Sequence, residues 1–140
     1  MTDYGIVPGE KYRLTEVARG RGTHHEVYAG WDYALLTSED GYAGEEVVIH
    51  QRGDGFAFQN IECNWGGYQW WAMSTTGIYL ADEGKATTWY LEGPEDGFYI
   101  RNSGKNYLTY PCDGKKWLQA LGSVMPNFRE FCKWKVVRSS

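Results

Sequence analysis

The stretch Asp54-Gly55-Phe56-Ala57-Phe58 returns 42 residues later as Asp96-Gly97-Phe98-Tyr99-Ile100. Its aromatic-x-apolar triplet also occurs 44 residues earlier, as Tyr12-Arg13-Leu14. A second triplet closes each unit, as Val47-Val48-Ile49, Trp89-Tyr90-Leu91 and Trp134-Lys135-Val136. A repeat of this length is a supersecondary unit, which must bury its apolar face against its copies. Three copies fill the chain, so we expect the repeats to form the frame and the loops to carry function.

Four short strands are predicted in each repeat. Apolar and polar residues alternate with a period of two, as in half-buried strands. Turn pairs such as Asp40-Gly41 and Asp113-Gly114 supply the positive φ angles that hairpins need. We predict one domain over 1–140, with repeats at about 10–52, 53–94 and 95–138. The twelve predicted strands are 11–17, 25–29, 33–37, 45–50, 55–60, 68–73, 77–82, 87–92, 97–102, 106–111, 116–121 and 131–137, with a longer loop at 122–130 and no convincing helix.

The same alternation predicts which side chains point inward. Each set of inward positions alternates with polar neighbours, as expected for strands with one buried face. The predicted core residues are Tyr12, Leu14, Val27, Leu36, Val47, Ile49, Phe56, Phe58, Trp70, Leu80, Trp89, Leu91, Phe98, Ile100, Leu108, Leu118, Trp134 and Val136.

Composition excludes several classes of protein. The net charge of −4 and the lack of a Lys/Arg cluster argue against nucleic acid as a partner. A mean hydropathy of −0.56 without a long apolar run argues against membrane insertion. The three cysteines show no CxxC spacing, which argues against a disulfide framework. Because no basic, apolar leader opens the sequence, we expect a cytoplasmic protein or one secreted by an unconventional route.

Catalytic and metal motifs are not evident. The sequence has no nucleophile elbow, no zinc-protease helix motif and no phosphate-binding glycine loop. His24 and His25 are adjacent on a predicted strand, where neighbours point to opposite faces, so we expect no shared metal. Carboxylate pairs such as Glu45-Glu46 lie at turns or strand ends and are typical of solvated surface. The sequence therefore predicts a protein that is not an enzyme, with no cofactor and no metal.

Aromatic residues exceed what the core needs. The chain has 7 Trp and 11 Tyr, and several lie near predicted loops or opposite the core face. Surplus exposed aromatics are costly unless they are used. A sugar ring stacks its apolar C–H face on Trp or Tyr, while its hydroxyls need short polar side chains. The stretches 30–33, 64–71 and 110–117 combine both features, and the predicted carbohydrate-binding residues are Trp31, Asp32, Trp65, Tyr68, Trp71, Tyr110, Asp113 and Trp117.

Three units of four strands resemble the β-trefoil, an all-β fold in which six strands close a barrel and three hairpins cap one end. Within that fold the chain resembles the ricin B-type lectins, which carry Gln-x-Trp near the end of each repeat. The matching positions read Thr87-Thr88-Trp89 and Cys132-Lys133-Trp134, so Trp is kept in two repeats and Gln in none. The first repeat has Val47 instead. The resemblance covers about residues 10–138.

The resemblance implies a small lectin like those of fungal fruiting bodies, which are cytoplasmic defence proteins. Glycans or glycoproteins are then the expected partners. A second copy of the chain is a further expected partner, because agglutination needs several binding sites, which a homodimer supplies. The family's sugar-binding Asp is absent from the matching positions, which fall at Tyr28, Trp71 and Thr109. Asp32 and Asp113 are the nearest replacements. We therefore expect a noncanonical, aromatic-lined site in one repeat.

Two other interpretations are open. β-Trefoils also include protease inhibitors that act through one protruding loop, and 17–24 or 122–130 are the candidate loops here. Arg19 and Arg21 in the first loop would suit a trypsin-like pocket, although its glycines make ordering costly. The third interpretation is a cytoskeletal or other protein-interaction trefoil.

Overall fold

The computed structural model describes residues 4–37, 44–74, 77–109, 116–122 and 129–139. Twelve short strands and two single-turn 3₁₀ helices, Glu83–Lys85 and Arg129–Cys132, lie in this part of the chain. Among these residues no helix has the length and apolar character needed to cross a membrane. The strands are β1 Lys11–Glu16, β2 Thr23–Tyr28, β3 Trp31–Leu36, β4 Val47–Arg52, β5 Gly55–Asn60, β6 Trp70–Met73, β7 Ile78–Ala81, β8 Tyr90–Glu92, β9 Phe98–Arg101, β10 Tyr107–Thr109, β11 Gln119–Leu121 and β12 Lys133–Arg138.

Six strands form a closed ring, and the repeated residues pair with one another. Within each repeat the opening triplet faces the closing triplet, and between repeats the closing triplet faces the next opening one. The pairs within repeats are Tyr12 with Val47, Phe56 with Trp89 and Phe98 with Trp134. The pairs between repeats are Ile49 with Phe58, Leu91 with Ile100 and Val136 with Leu14. The ring β1-β4-β5-β8-β9-β12 therefore leaves none of its strands with a free edge.

Three hairpins, β2-β3, β6-β7 and β10-β11, cap one end of the ring. They are joined to one another by backbone hydrogen bonds. Leu118 N donates to Ala34 O at 2.9 Å, and Ile78 N donates to Leu118 O at 2.9 Å. A six-stranded ring with a three-hairpin cap is the β-trefoil, as the repeats predict.

The core fills the ring and the underside of the cap. Large side chains that are completely buried include Leu14, Phe58 and Trp89, and the rings of Phe58 and Trp89 stack at 6.1 Å. Fully buried aromatics carry several hundred Å² of apolar surface out of water, the main source of stability in such a domain. Of the predicted core, Phe56, Leu91 and Val136 are partly buried and pack against this cluster.

The prediction that Val27 and Trp70 are core residues is wrong. Val27 is exposed, because it lies on β2, the last strand of the sheet order among the described residues, where most side chains face solvent. Trp70 is only half-buried, whereas its neighbour Trp71 is completely buried opposite Leu80. A shift of one residue in a strand exchanges its two faces, and either tryptophan satisfies the alternation.

The turn after β1 is compact and closed on itself. The Glu16 side chain is completely buried, and its Oε2 accepts a hydrogen bond from Arg19 N at 2.9 Å. Gly20 N donates to Glu16 O, and Val17 N donates to Lys133 O, both at 2.9 Å. Burial raises the pKa of the Glu16 carboxyl above its ordinary value of 4.5, although Arg19 and Arg21 act in the opposite direction. The turn is therefore held tightly, at the cost of a buried carboxylate.

Glu16→Gln is expected to change how stability depends on pH. Since the folded-state pKa exceeds the unfolded value, the folded protein binds the proton more tightly, and stability falls as pH rises from 4.5 through the folded pKa. Gln keeps an acceptor for Arg19 N and removes the charge. When the free energy of unfolding is measured with urea across this pH range, the variant should become more stable relative to the parent as pH rises. Parallel profiles for the two proteins would contradict this account of Glu16.

Candidate functional site

The tip of the β2-β3 hairpin presents two aromatic side chains. Ala29 and Gly30 connect the strands with φ angles of 54° and 83°. Two consecutive positive φ angles define the type I′ turn, whose twist matches that of the strands. Tyr28 and Trp31 flank this turn as paired residues. The hairpin therefore holds both rings at one edge of the cap.

A chain of aromatic contacts runs across the cap from these two residues. Tyr28 packs on Trp117 and Tyr33, and Trp31 packs on Tyr79 and Tyr68. The distances between ring centroids are 5.5 Å for Tyr28–Trp117, 5.6 Å for Tyr28–Tyr33, 5.8 Å for Tyr33–Tyr79, 5.1 Å for Trp31–Tyr79 and 5.9 Å for Trp31–Tyr68. Edge-to-face and tilted pairs at such distances stabilise one another. Six rings from all three repeats thus form one layer.

The loop between β5 and β6 is anchored to this layer by Asp32. The Asp32 carboxylate accepts hydrogen bonds from Asn64 N at 2.7 Å and from Asn64 Nδ2 at 2.6 Å. Tyr68 N donates to Trp65 O at 3.1 Å, closing a turn through Gly66 and Gly67. The anchor holds Trp65 and Tyr68 next to the hairpin tip, although the two segments are 32 residues apart in sequence.

Gly30, Trp31, Trp65 and Tyr68 line a shallow cleft of about 150 Å³. Trp65 is 40% exposed and Tyr68 is 42% exposed, so both rings offer apolar surface to solvent. Sites for drug-sized ligands measure roughly 300–1,000 Å³. The smaller cleft suits a ligand that stacks one ring on the aromatics and leaves the remainder in water.

Three predicted site residues meet in this cleft: Trp31, Trp65 and Tyr68. Asp32 lies beneath it and is 1% exposed, with its carboxylate engaged by Asn64. In this position it holds the loop, and its predicted role as a direct sugar contact stays a prediction. Trp117 is buried under Lys116 at the far end of the aromatic layer.

Trp71 does not belong to the surface. It is completely buried, and its ring packs edge-to-face on Phe58 at 5.6 Å. The prediction that Trp71 binds sugar is wrong, because β6 directs this side chain into the core and its neighbour outward. Tyr110 and Asp113, the remaining predicted residues, lie outside the described residues.

Sequence reasoning missed two parts of the surface. Tyr79 supports Trp31 from β7, and only the pairing of β7 with β3 reveals it. A second groove of about 400 Å³ is lined by His50, Gln51, Arg52, Ala57, Trp70 and Glu83. The His50 ring lies on Trp70 at 4.8 Å. The sequence indicated this groove only through the adjacent pair Trp70-Trp71. Neighbours on a strand point to opposite faces, so only one of the two rings can enter the core.

The fold and the cleft define a β-trefoil with an aromatic surface site. Comparison with known proteins finds solved structures of similar fold. No family model and no curated protein matches the sequence. Among solved structures, lysenin in complex with phosphocholine has a TM-score of 0.77 at 16% identity, over 96% of this chain and 46% of that chain. This chain therefore spans about half the length of the lysenin chains that it matches.

Two further structures match over nearly their whole length. SeviL bound to asialo-GM1 saccharide has a TM-score of 0.65 at 12% identity, over 94% of this chain and 98% of that one. Trypsin inhibitor 1 from Senna obtusifolia has a TM-score of 0.67 at 12% identity, over 94% and 92%. At these identities the likeness establishes the fold. The relation to ricin B-type lectins stays a prediction from the residues.

Proposed function

We propose that this protein is a non-enzymatic lectin that binds one terminal sugar of a glycan in the cleft of Trp31, Trp65 and Tyr68. The observation that carries the proposal is that two exposed rings from one loop are anchored beside a third ring from a different repeat. Exposed aromatics that cost solvation free energy, and that are also held in place by a buried carboxylate, indicate a binding surface.

The chemistry of the cleft suits a pyranose. Its apolar C–H face stacks on a tryptophan or tyrosine ring without burying any hydroxyl. The Tyr68 hydroxyl and the backbone of the exposed residues Gly66 and Gly67, which lie between Trp65 and Tyr68 in the chain, are polar groups next to the stacking rings. A few polar groups around an apolar platform are the usual composition of a small-molecule site.

The structural neighbours support a binding role without naming the ligand. SeviL was solved with the asialo-GM1 saccharide and lysenin with phosphocholine. Proteins that share this fold over all or part of their length are therefore known in complex with a sugar and with phosphocholine. We assign this chain to sugars because none of the described residues that line the cleft is charged, so none of them would pair with the phosphate of a phosphocholine group. A defence role, as in the fungal lectins that the sequence resembles, belongs to this proposal.

Trp65→Ala and Tyr68→Ala are each expected to weaken binding of the cognate glycan by about tenfold or more, since stacking on an aromatic ring contributes roughly 1–3 kcal/mol in the measured case of nucleic-acid bases. The measurement is a titration followed by tryptophan fluorescence and by calorimetry. Trp70→Ala is the matched control, because Trp70 lies in the second groove. Loss of binding only in Trp70→Ala would move the site to that groove.

A protease inhibitor is the second candidate, favoured by the structural likeness to the Senna inhibitor. Of its two predicted loops, the first is a compact turn closed by hydrogen bonds between Glu16, Arg19 and Gly20 rather than a protruding segment. The other loop includes 123–128, outside the described residues. A panel of serine and cysteine proteases separates the candidates: inhibition that is lost in Arg19→Ala would favour this one.

A further inference from the structure

Two imidazoles and a carboxylate converge at the start of β2, away from the hairpin tip. His25 Nδ1 lies 2.7 Å from Glu45 Oε1, and His24 Nδ1 contacts Glu45 Oε2. The three ligand atoms all lie within 4.8 Å of one another. Adjacent histidines on a strand were expected to share no metal, yet here both imidazoles contact one carboxylate.

The backbone explains why both rings reach one carboxylate. Glu45 N donates to Thr23 O at 2.7 Å, so the segment 44–46 runs along the start of β2. Gly44 makes this approach possible, because a Cβ there would lie 2.4 Å from Thr23 N. The carboxylate thus lies at the edge of the strand, and the two imidazoles turn toward that edge from opposite faces, with centroids 5.6 Å apart.

We propose that His24, His25 and Glu45 bind a divalent transition-metal ion, with zinc(II) as the ion that the donor set fits. Two imidazole nitrogens and one carboxylate oxygen are a known zinc ligand set, which leaves the fourth position to water or to a donor from another molecule. Imidazole nitrogen selects zinc, copper or nickel, whereas magnesium and calcium prefer oxygen ligands. Metal binding at this site does not depend on the proposed sugar binding at the hairpin tip.

The geometry is close to what zinc requires. With bonds of about 2.0–2.2 Å and tetrahedral angles, ligand atoms around zinc lie about 3.3–3.6 Å apart. The separations here run from contact with the carboxylate up to 4.8 Å. The ion would replace the direct histidine–carboxylate contacts, and small rotations about the soft terminal torsion of each imidazole bring the nitrogens into range.

Supporting contacts hold the carboxylate in place. Asn60, a buried residue of β5, donates from Nδ2 to Glu45 Oε1 at 3.0 Å, and His25 N donates to Oε2 at 3.4 Å. Such outer partners orient ligands in metal sites and raise their affinity. The Glu45 side chain is 9% exposed and that of His24 is 50% exposed, so the site has a fixed base and an open, accessible side.

The test is calorimetric titration of the full chain with zinc chloride at neutral pH, with calcium and magnesium chloride for comparison. We expect one zinc per chain and no binding of the other two ions. His24→Ala, His25→Ala and Glu45→Gln should each lower zinc affinity by about tenfold or more. His50→Ala is the matched control, because it removes the third histidine of the chain, which is hydrogen-bonded to Gln59 instead.

Two further readouts separate coordination from a structural role. Zinc that binds only the folded state should raise the melting temperature of the parent and of His50→Ala, and not that of the His24→Ala/His25→Ala double variant. Long-range ¹H–¹⁵N NMR should show the Nδ1 resonances of His24 and His25 shifting with zinc. Absence of zinc binding by the parent overturns the proposal. Equal binding by the double variant, or binding lost in Cys63→Ser, overturns it as well.

Discussion

Replacing Trp71 by alanine is expected to lower the free energy of unfolding by about 3–5 kcal/mol. The side chain is completely buried, packs on Phe58 and lies opposite Leu80. Its removal leaves a cavity that the closed ring of strands fills poorly, since neighbouring repeats constrain one another. Urea unfolding at constant m-value measures the loss.

Trp65→Ala is the matched control for this experiment. It deletes the same side chain from an exposed position and should change stability by less than about 0.5 kcal/mol, as surface substitutions do. Trp71→Phe should cost much less than Trp71→Ala, because it keeps a ring and removes an indole N–H that has no hydrogen-bond partner among the described residues. Equal stability of Trp71→Ala and Trp65→Ala would contradict the register of β6.

Asp32→Ala is expected to lower the free energy of unfolding by about 2–4 kcal/mol. Hydrogen bonds to a charged group contribute roughly 1.5–3 kcal/mol each. The substitution removes both acceptors of the Asn64 amide groups. Without them the loop of Trp65 and Tyr68 loses its anchor to the hairpin. Glycan binding should therefore fall at least tenfold, although Asp32 is buried beneath the cleft.

Asp32→Asn is the conservative comparison for the anchor. It keeps one carbonyl oxygen as an acceptor for Asn64 N and should lose less stability and less binding than Asp32→Ala. Amide exchange of residues 61–69 distinguishes the two roles that a buried Asp can have. Faster exchange confined to this loop indicates an anchor, whereas unchanged exchange with lost binding would show that the carboxylate itself contacts the glycan.

The strands and their pairing could be predicted from the sequence because similar residues recur at the same structural position in each repeat. Tyr12, Phe56 and Phe98 open the three repeats, and each faces the residue that closes its own repeat. All twelve predicted strands are present, with ends that differ by up to three residues. The faces of Val27 and Trp70 were not predictable from alternation alone, because the first depends on an edge position and the second on a register shared with Trp71.

The site was predictable only in pieces. The composition of 30–33 and 64–71 identified Trp31, Trp65 and Tyr68 as surplus aromatics, but their convergence depends on the contact between Asp32 and Asn64 across repeats. The convergence of His24 and His25 on one carboxylate was not predictable for a related reason. Their carboxylate partner, Glu45, reaches β2 through a backbone hydrogen bond to Thr23 that no local pattern indicates.

The central claim is that the cleft of Trp31, Trp65 and Tyr68 binds carbohydrate. The most direct test is a broad glycan array probed in parallel with the labelled parent protein and with Trp65→Ala, which should fold normally. We predict that the parent binds one family of glycans with a shared terminal sugar and that Trp65→Ala does not. A blank array at high protein concentration, or the same glycans bound equally by both proteins, would contradict the claim.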